Sequence, residues 1–388
     1  MKRALFTVAV LFLALSALTI HTHAQSAPLP YGIVQNPGTP SPANCVGGGW
    51  VSGETCVHAT MHCDASLGVD DLGFTYGYLA PTGTINGTVV AFSGGGGTAP
   101  STAAGTEALA LQYYLSNHLE IVQVKWDSDW EMTTNPIPPD WFGNIQYSAC
   151  RPAGVLHYVY TKSTLFQPGG GMCAQGFSAG SAAVVYALSW YGAGWGTTSY
   201  LDNVELLSGP VLSEVDTGCE VPVAPNVTVC QGAPGCQIAS NVQPWSVTPE
   251  YVDGYENYPQ KWSNIYSCAN TSHGNTSMYN AVWNNMSILS SSVTSRQLSY
   301  PNTSMNAWLC ANVYDNEEPM NNSSSQGWLF YSYSGVNFMP NNWKVNAVSN
   351  CDGPEAVMGT DATGPDGVTG DAFALITNDM VNQCKPHH

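Results

Sequence analysis

The chain has 388 residues, only 9% of them charged, and a formal net charge of −18. Acidic residues outnumber basic ones 27 to 9, so the surface repels nucleic acid, anionic membranes and acidic polymers. At acid pH many of the carboxylates become neutral, which eases their mutual repulsion, and we therefore hypothesise acid tolerance. A stability profile without a gain below neutral pH would contradict this hypothesis.

The first 24 residues have the pattern of an export signal. Lys2 and Arg3 give a positive start, Ala4–Leu18 is an uncharged apolar run, and small residues precede a cleavage site after Ala24. Cleavage leaves 364 residues with seven bases and 27 acids, a net charge of −20. We predict secretion, extracellular or periplasmic, without membrane attachment after cleavage; an uncleaved anchor is the alternative.

The mature chain keeps all 12 cysteines, an even number that in an exported protein predicts disulfides. Cys351 and Cys384 flank the last predicted strand and helix, and we expect them to pair. Cys219, Cys230 and Cys236 are expected to tie a local loop. A zinc site is the weaker alternative, because no paired CxxC or histidine-containing ligand spacing occurs.

The region after the signal, residues 25–73, divides into an exposed lead-in and a disulfide-tied segment. Gln25–Asn44 is rich in Pro, Gly and Ser, and Cys45–Cys63 is rich in Gly. Within the second segment, His58 and His62 are four residues apart and are flanked by Cys56 and Cys63. No glutamate follows His58, so a disulfide loop is favoured over a metal pair.

Residues 74–210 alternate between strand and helix patterns, as expected for the first part of an α/β core. The predicted strands are Phe74–Leu79, Thr84–Phe92, Ile121–Trp126, Gly171–Gly176 and Val204–Leu207. The predicted helices are Ala103–Leu115, Ile145–Thr161 and Ser181–Tyr191. This alternation predicts a mainly parallel, doubly wound sheet with helices on both faces.

The alternation breaks at residues 211–301, where Cys, Pro, Trp and Asn dominate, and we interpret this region as a cap inserted into the core. Residues 302–388 return to the core pattern. Strands are predicted at Ala307–Tyr314 and Lys344–Ser349, and a closing helix at Ala372–Cys384.

The most informative motif is Gly176-Phe177-Ser178-Ala179-Gly180, between a predicted strand and a predicted helix. Small residues two before and two after the serine are needed where a strand turns sharply into a helix, because the two backbones crowd together. The pattern predicts a nucleophile elbow with Ser178 at its apex. A tight turn that merely needs glycines is the structural alternative.

A run of four glycines, Gly94–Gly97, follows the Thr84–Phe92 strand. Acyl transfer needs two backbone N–H groups for the oxyanion, one from the residue after the nucleophile and one from a loop after an earlier strand. We assign these groups to Ala179 and to Gly95 and Gly96. A flexible turn is the alternative, whereas a P-loop is disfavoured because no Gly-Lys-Ser/Thr follows.

With these motifs the chain resembles the α/β-hydrolase superfamily, and within it secreted serine esterases, from about Tyr76 to Cys384. The resemblance implies the chain order serine, acid, histidine. Asp315, after the Ala307–Tyr314 strand, is the acid candidate, and Asp216 is a second one. No cofactor and no metal are expected.

The histidine that the resemblance implies is missing from the loop after the last strand, where Glu355 stands instead. Three readings stay open. Glu355 replaces the base in an acid-adapted enzyme, since burial beside Asp315 could raise the pKa of a carboxyl group. Alternatively, a histidine from elsewhere reaches the site, or the site is degenerate. The histidine candidates are His157, His273, His387 and His388.

Two functions follow from these readings. The first is a secreted serine-type carboxylic ester hydrolase that acts on a small-molecule or polymeric ester. The second is a catalytically silent extracellular binding protein on the same scaffold. The tryptophans of the Asp127–Phe142 region and its preceding strand either line the cleft or pack in the core: Trp126, Trp130 and Trp141. The sequence does not assign an oligomeric state.

Overall fold

The computed structural model describes residues 27–101, 105–131, 145–194, 199–209, 288, 300–310, 343–349, 351 and 357–386. The predicted signal, most of the predicted cap and the loops around Asp315 and Glu355 lie outside these residues. Within the described parts none of the helices combines the length and the apolar character that a membrane span requires.

The described strands form one nine-stranded sheet with the order β1-β2-β3-β5-β4-β6-β7-β8-β9. Their bounds are β1 Ile33–Gln35, β2 Thr55–His62, β3 Leu72–Leu79, β4 Gly87–Phe92, β5 Leu119–Trp126, β6 Gly171–Phe177, β7 Asn203–Leu207, β8 Ser304–Cys310 and β9 Trp343–Val348. The pairs β1–β2, β2–β3 and β3–β5 are antiparallel, and every pair from β5 through β4 to β9 is parallel. The mainly parallel sheet predicted from the sequence is confirmed.

Helices cover both faces of the sheet. Their bounds are α1 Gly105–Ser116, α2 Ile145–Ser148, α3 Cys150–Thr161, α4 Ala179–Trp190 and α5 Ala372–Gln383, with short 3-10 helices at Pro42–Asn44 and Ala65–Leu67. Side chains of α3 and α4 belong to one apolar core, and those of α1 and α5 belong to the other. The central strands β4 and β7 are buried along their whole length, as expected for parallel strands with helices on both sides.

Strands β2 to β9 thus have the α/β-hydrolase arrangement: β4 and β5 are exchanged in the sheet order, and β6 runs directly into α4. The chain has the α/β-hydrolase fold, and β1 extends it by one antiparallel strand at the edge.

The lead-in before Cys45 is largely exposed, but both it and the disulfide-tied segment after it contain a strand that the sequence did not predict. Ile33–Gln35 pairs with β2, and β2 pairs in turn with β3. The signal in β2 is its alternation: Val57, Ala59 and Met61 are buried, whereas His58 is exposed. A second difference concerns the predicted helix Ile145–Thr161, which is divided into α2 and α3 at Ala149.

The predicted pairing of Cys351 with Cys384 was also wrong. Cys384 is bonded to Cys173 on β6, because the end of α5 lies against the start of that strand. Two further disulfides, Cys45–Cys56 and Cys63–Cys150, tie the segment around β2, as the composition had indicated. The loop predicted for Cys219, Cys230 and Cys236 lies outside the described residues.

Candidate active site

Ser178 is the single residue between the end of β6 at Phe177 and the start of α4 at Ala179. Its backbone has φ 51° and ψ −127°, a conformation that is costly for a residue with a side chain. Two hydrogen bonds hold this turn: the N–H of Ser178 donates to the Leu207 carbonyl at 2.8 Å, and its own carbonyl accepts from the N–H of Ser181 at 2.8 Å. The strand–turn–helix context that the motif predicts is therefore present.

The small residues around Ser178 are required by crowding. A Cβ on Gly176 would overlap the backbone of Gly180, and a Cβ on Gly180 would overlap the carbonyl of Phe92 at the end of β4. Sequence reasoning missed Gly209. A Cβ on this residue would overlap the carbonyl oxygen of Ser178. The close approach of β4, β6 and α4 thus explains both glycines of the motif.

The glycine loop, Gly94–Gly97, follows β4 and reaches the serine. A Cβ on Gly94 would lie 2.7 Å from the Cβ of Ser178 and 3.2 Å from its Oγ. Gly95 and Gly97 have φ of 55° and 69°, and the N–H of Gly97 closes the turn on the Gly94 carbonyl at 3.2 Å. Gly95 and Gly96, which we assigned from the sequence, are in this turn, but Gly94 makes the contact with Ser178.

Trp126, at the end of β5, and Trp130 pack against the glycine loop at Gly97. Trp126 and Trp130 are 2% and 1% exposed, and a Cβ on Gly97 would lie 2.6 Å from Cδ1 of Trp126 and 3.3 Å from Cδ1 of Trp130. These two side chains pack in the core, which settles the open alternative against a role in lining the cleft. Trp141 lies outside the described residues.

Of the histidines that the structure describes, none reaches Ser178. His58 and His62 are on the exposed face of β2, where His58 Nε2 pairs with Asp127 at 2.9 Å and His62 Nδ1 with Asp71 at 2.7 Å. Strand β2 is four places from β6, about 19 Å at the usual strand spacing. They form separate pairs with carboxylates, and the disulfide loop expected around them is instead a strand whose flanking cysteines bond elsewhere.

The other two described histidines are also far from the turn. His157 on α3 stacks on Tyr31 with ring centroids 3.9 Å apart, and burial lowers its pKa. His118 directly precedes β5, at the end of the parallel strands opposite to Ser178. Its carbonyl accepts from the N–H of Asn86. The remaining acid and base candidates lie outside the described residues: Asp216, His273, Asp315, Glu355, His387 and His388.

A buried carboxyl group that sequence reasoning missed lies on β7. Glu205 is 0% exposed, and its oxygens accept from Asn203 at 3.0 Å and from the indole N–H of Trp308 at 2.5 Å. Burial, followed by the charge of Asp379 on α5, raises its pKa well above the ordinary value. Perturbed carboxyl groups often mark active sites, but these partners place Glu205 inside the α5 face of the sheet.

The sequence matches no protein-family model and no curated protein. Among solved structures, a bacterial heroin esterase is similar with a TM-score of 0.45 at 12% identity, covering 86% of this chain and 84% of that one. An arylesterase has a TM-score of 0.44 at 12% identity, covering 88% of each chain. An esterase of Pyrobaculum calidifontis has a TM-score of 0.41 at 12% identity, covering 81% of each chain. The strand order and the turn at Ser178 are those of the α/β-hydrolase fold.

Proposed function

We propose that this protein is a secreted serine-type carboxylic ester hydrolase with Ser178 as its nucleophile. The observation that carries the proposal is the strained backbone of Ser178 at the β6–α4 turn, with the glycine loop packed beside it. Backbone strain at a non-glycine residue persists only where the surrounding structure enforces it, and it concentrates at functional sites.

In the proposed reaction the Oγ of Ser178 attacks the ester carbonyl, and its proton passes to the base. The new bond gives an acyl-enzyme, the alcohol leaves with that proton, and water then releases the carboxylic acid. Ala179 is the first residue of α4, so its N–H belongs to the helix start, where backbone donors lack partners within the helix. With the N–H groups of Gly95 and Gly96, it would hold the oxyanion.

Asp315 and Glu355 complete the proposed site as the acid and the base. In this proposal Glu355 accepts the Ser178 proton as the ionised carboxylate, and burial beside Asp315 would raise its pKa and so make it a stronger base. His273 is the other candidate base. His387 and His388 are disfavoured because Lys385, two and three residues before them, lies against Gly171 at the start of β6, and Ser178 follows the end of that strand.

Secretion is proposed from the signal pattern, and the three disulfides of the described residues suit an oxidising compartment. The net charge of the mature chain favours neutral over acidic ester substrates, whether small or polymeric.

The decisive experiment uses the mature protein, short p-nitrophenyl esters and a fluorophosphonate label between acid and neutral pH. We expect hydrolysis, and a label on Ser178 that is lost in Ser178→Ala. Ser116→Ala is the matched control, because Ser116 is exposed at the end of α1 and should not affect labelling. A folded protein that neither turns over esters nor takes the label at any pH would favour the silent binding protein instead.

A further inference from the structure

We infer that Arg151 is a positioning residue that holds the glycine loop against Ser178. It acts through the support segment, which we define as Trp126–Glu131. The inference rests on the proposed function, because the loop is taken to bind the oxyanion. Four hydrogen bonds carry the inference: two join the support segment to the glycine loop, and two join Arg151 to the backbone carbonyls of Trp130 and Asp70.

The support segment fixes the orientation of the glycine loop. The N–H of Trp126 donates to the Gly97 carbonyl at 2.8 Å, and the N–H of Trp130 donates to the Gly96 carbonyl at 3.1 Å. These bonds direct two successive carbonyls, those of Gly96 and Gly97, toward the support segment. Because a peptide group is planar, fixing the Gly96 carbonyl also fixes the N–H of Gly97. That N–H donates to the Gly94 carbonyl at 3.2 Å, so the turn that contains Gly95 and Gly96 is held at its end.

Arg151 in turn fixes the support segment. Its Nη1 donates to the Trp130 carbonyl at 2.7 Å, and its Nη2 donates to the Asp70 carbonyl at 2.8 Å. Trp130 is therefore bonded through both its backbone N–H and its carbonyl. One planar guanidinium reaches both carbonyls at once, a geometry that a lysine ammonium does not reproduce.

Arg151 remains a cation although it is only 1% exposed. Burial lowers its pKa to about 10, and the charges of Asp70, Asp129 and Asp71 oppose that shift. The group is thus charged throughout the acid and neutral range. Hydrogen bonds from a charged donor are stronger than those between neutral groups, so this link resists displacement.

The backbone that carries Arg151 is itself anchored to the unpredicted strands. The preceding residue, Cys150, is disulfide-bonded to Cys63, just after β2. The Cys150 carbonyl also accepts from the N–H of Gly32, just before β1, at 2.7 Å. The antiparallel edge of the sheet therefore holds Arg151, and Arg151 holds the loop at Ser178.

The test compares Arg151→Lys and Arg151→Met with Lys162→Met in the full mature protein. Lys162 is a matched control, because it is exposed at the other end of the same helix with its Nζ 5.2 Å from the Tyr158 ring centroid. For both Arg151 variants we expect amide hydrogen exchange in Ser93–Thr98 to accelerate about tenfold, the size of one lost charge-assisted bond. Lys162→Met should exchange as the wild type does.

Kinetics separate positioning from general weakening. With a p-nitrophenyl ester, kcat should fall about 10- to 100-fold in Arg151→Lys while KM changes by less than about threefold, because misplaced donors affect the transition state most. If the Arg151 variants fail to fold, Cys63→Ala/Cys150→Ala replaces them. It should accelerate exchange in the same peptide, whereas Cys45→Ala/Cys56→Ala should not.

Unchanged exchange in Ser93–Thr98 of a folded Arg151 variant overturns the inference, whatever the kinetics show, and unchanged kcat in Arg151→Lys of an active enzyme does the same. The proposed function fails separately, through the absence of turnover and of a label on Ser178 in the wild type. The exchange measurement still decides whether Arg151 positions the loop in that case.

Discussion

Gly94 leaves no room for a side chain beside Ser178, because a Cβ on Gly94 would lie 2.7 Å from the Cβ of the serine. Real Cβ atoms do not approach this closely, so a side chain there must displace either the glycine loop or the serine. The relationship ties the position of the loop to the position of the proposed nucleophile.

Replacing Gly94 with alanine should therefore damage the site more than the fold. We expect fluorophosphonate labelling of Ser178 to slow by about 10- to 100-fold, since a displacement near 1 Å at a catalytic centre has effects of that size. Gly48→Ala is the control, because a Cβ on Gly48 has no neighbour within 4 Å. Equal labelling of the two variants would show that the contact is unimportant for the serine.

The disulfide between Cys173 and Cys384 should stabilise the fold without affecting the reaction. It closes a sequence separation of 211 residues, compared with 11 for Cys45–Cys56. Chain entropy predicts that the longer loop contributes about 2.5 kcal/mol more to the free energy of unfolding. Denaturant unfolding of the two double alanine variants measures the difference, and a larger loss in Cys45→Ala/Cys56→Ala would contradict it.

The same variants test whether the bond is remote from the site. Cys173 lies near the start of β6, whereas Ser178 follows its end. Ester turnover per folded molecule should therefore stay within about twofold of the wild type in Cys173→Ala/Cys384→Ala, in keeping with the small effects of changes that remove no contact at a site.

The core of the fold could be predicted from local patterns, because short runs of apolar residues indicate buried parallel strands and the helices between them. Thr84–Phe92 and Gly171–Gly176 are apolar runs bounded by turns, and they match β4 and β6 to within a few residues. The elbow was predictable for the same reason: the crowding at Gly176 and Gly180 is caused by chain segments adjacent to the motif or directly paired with it.

What the sequence could not predict depends on partners distant along the chain. β1 is only three residues long, and its pairing with β2 is not marked by any apolar run. The partner of Cys384 was unpredictable because it depends on where α5 meets β6, 211 residues earlier. Likewise, no feature of the sequence near Arg151 indicates that its guanidinium donates a hydrogen bond to the Trp130 carbonyl.

Burial of Glu54 should make the protein more stable in acid than in base. Its Oε2 accepts from the N–H of Val51 at 3.0 Å, and burial raises its pKa to about 8. Because the pKa is raised in the folded state, this stabilisation is complete below the unfolded value near 4.5 and is lost as pH rises through 8. Glu120, with a pKa raised to about 7 by burial, acts in the same direction.

Glu54→Gln isolates this contribution, because an amide resembles the protonated carboxyl and does not titrate. We expect the variant to have a melting temperature close to wild type at pH 5 and several degrees higher at pH 8.5. Asp361→Asn, at an exposed position, should follow the wild type at both pH values. A parallel decline of wild type and Glu54→Gln between these pH values would contradict a protonated Glu54.

A comparison of the two single variants Glu355→Gln and His273→Ala identifies the base. With Glu355 as the base, Glu355→Gln should lower kcat by about 10³-fold or more, the usual effect of losing the base of a serine hydrolase, and His273→Ala should leave it nearly unchanged. Glu355→His should restore turnover with an optimum moved toward neutral pH, because imidazole has a pKa near 6.5 and a carboxyl group one near 4.3. The reverse outcome, with loss in His273→Ala alone, would assign the base to His273. The described histidines do not compete for this role, because the strand of His58 and His62 is four places from β6, about 19 Å at the usual strand spacing, and His157 is stacked on Tyr31.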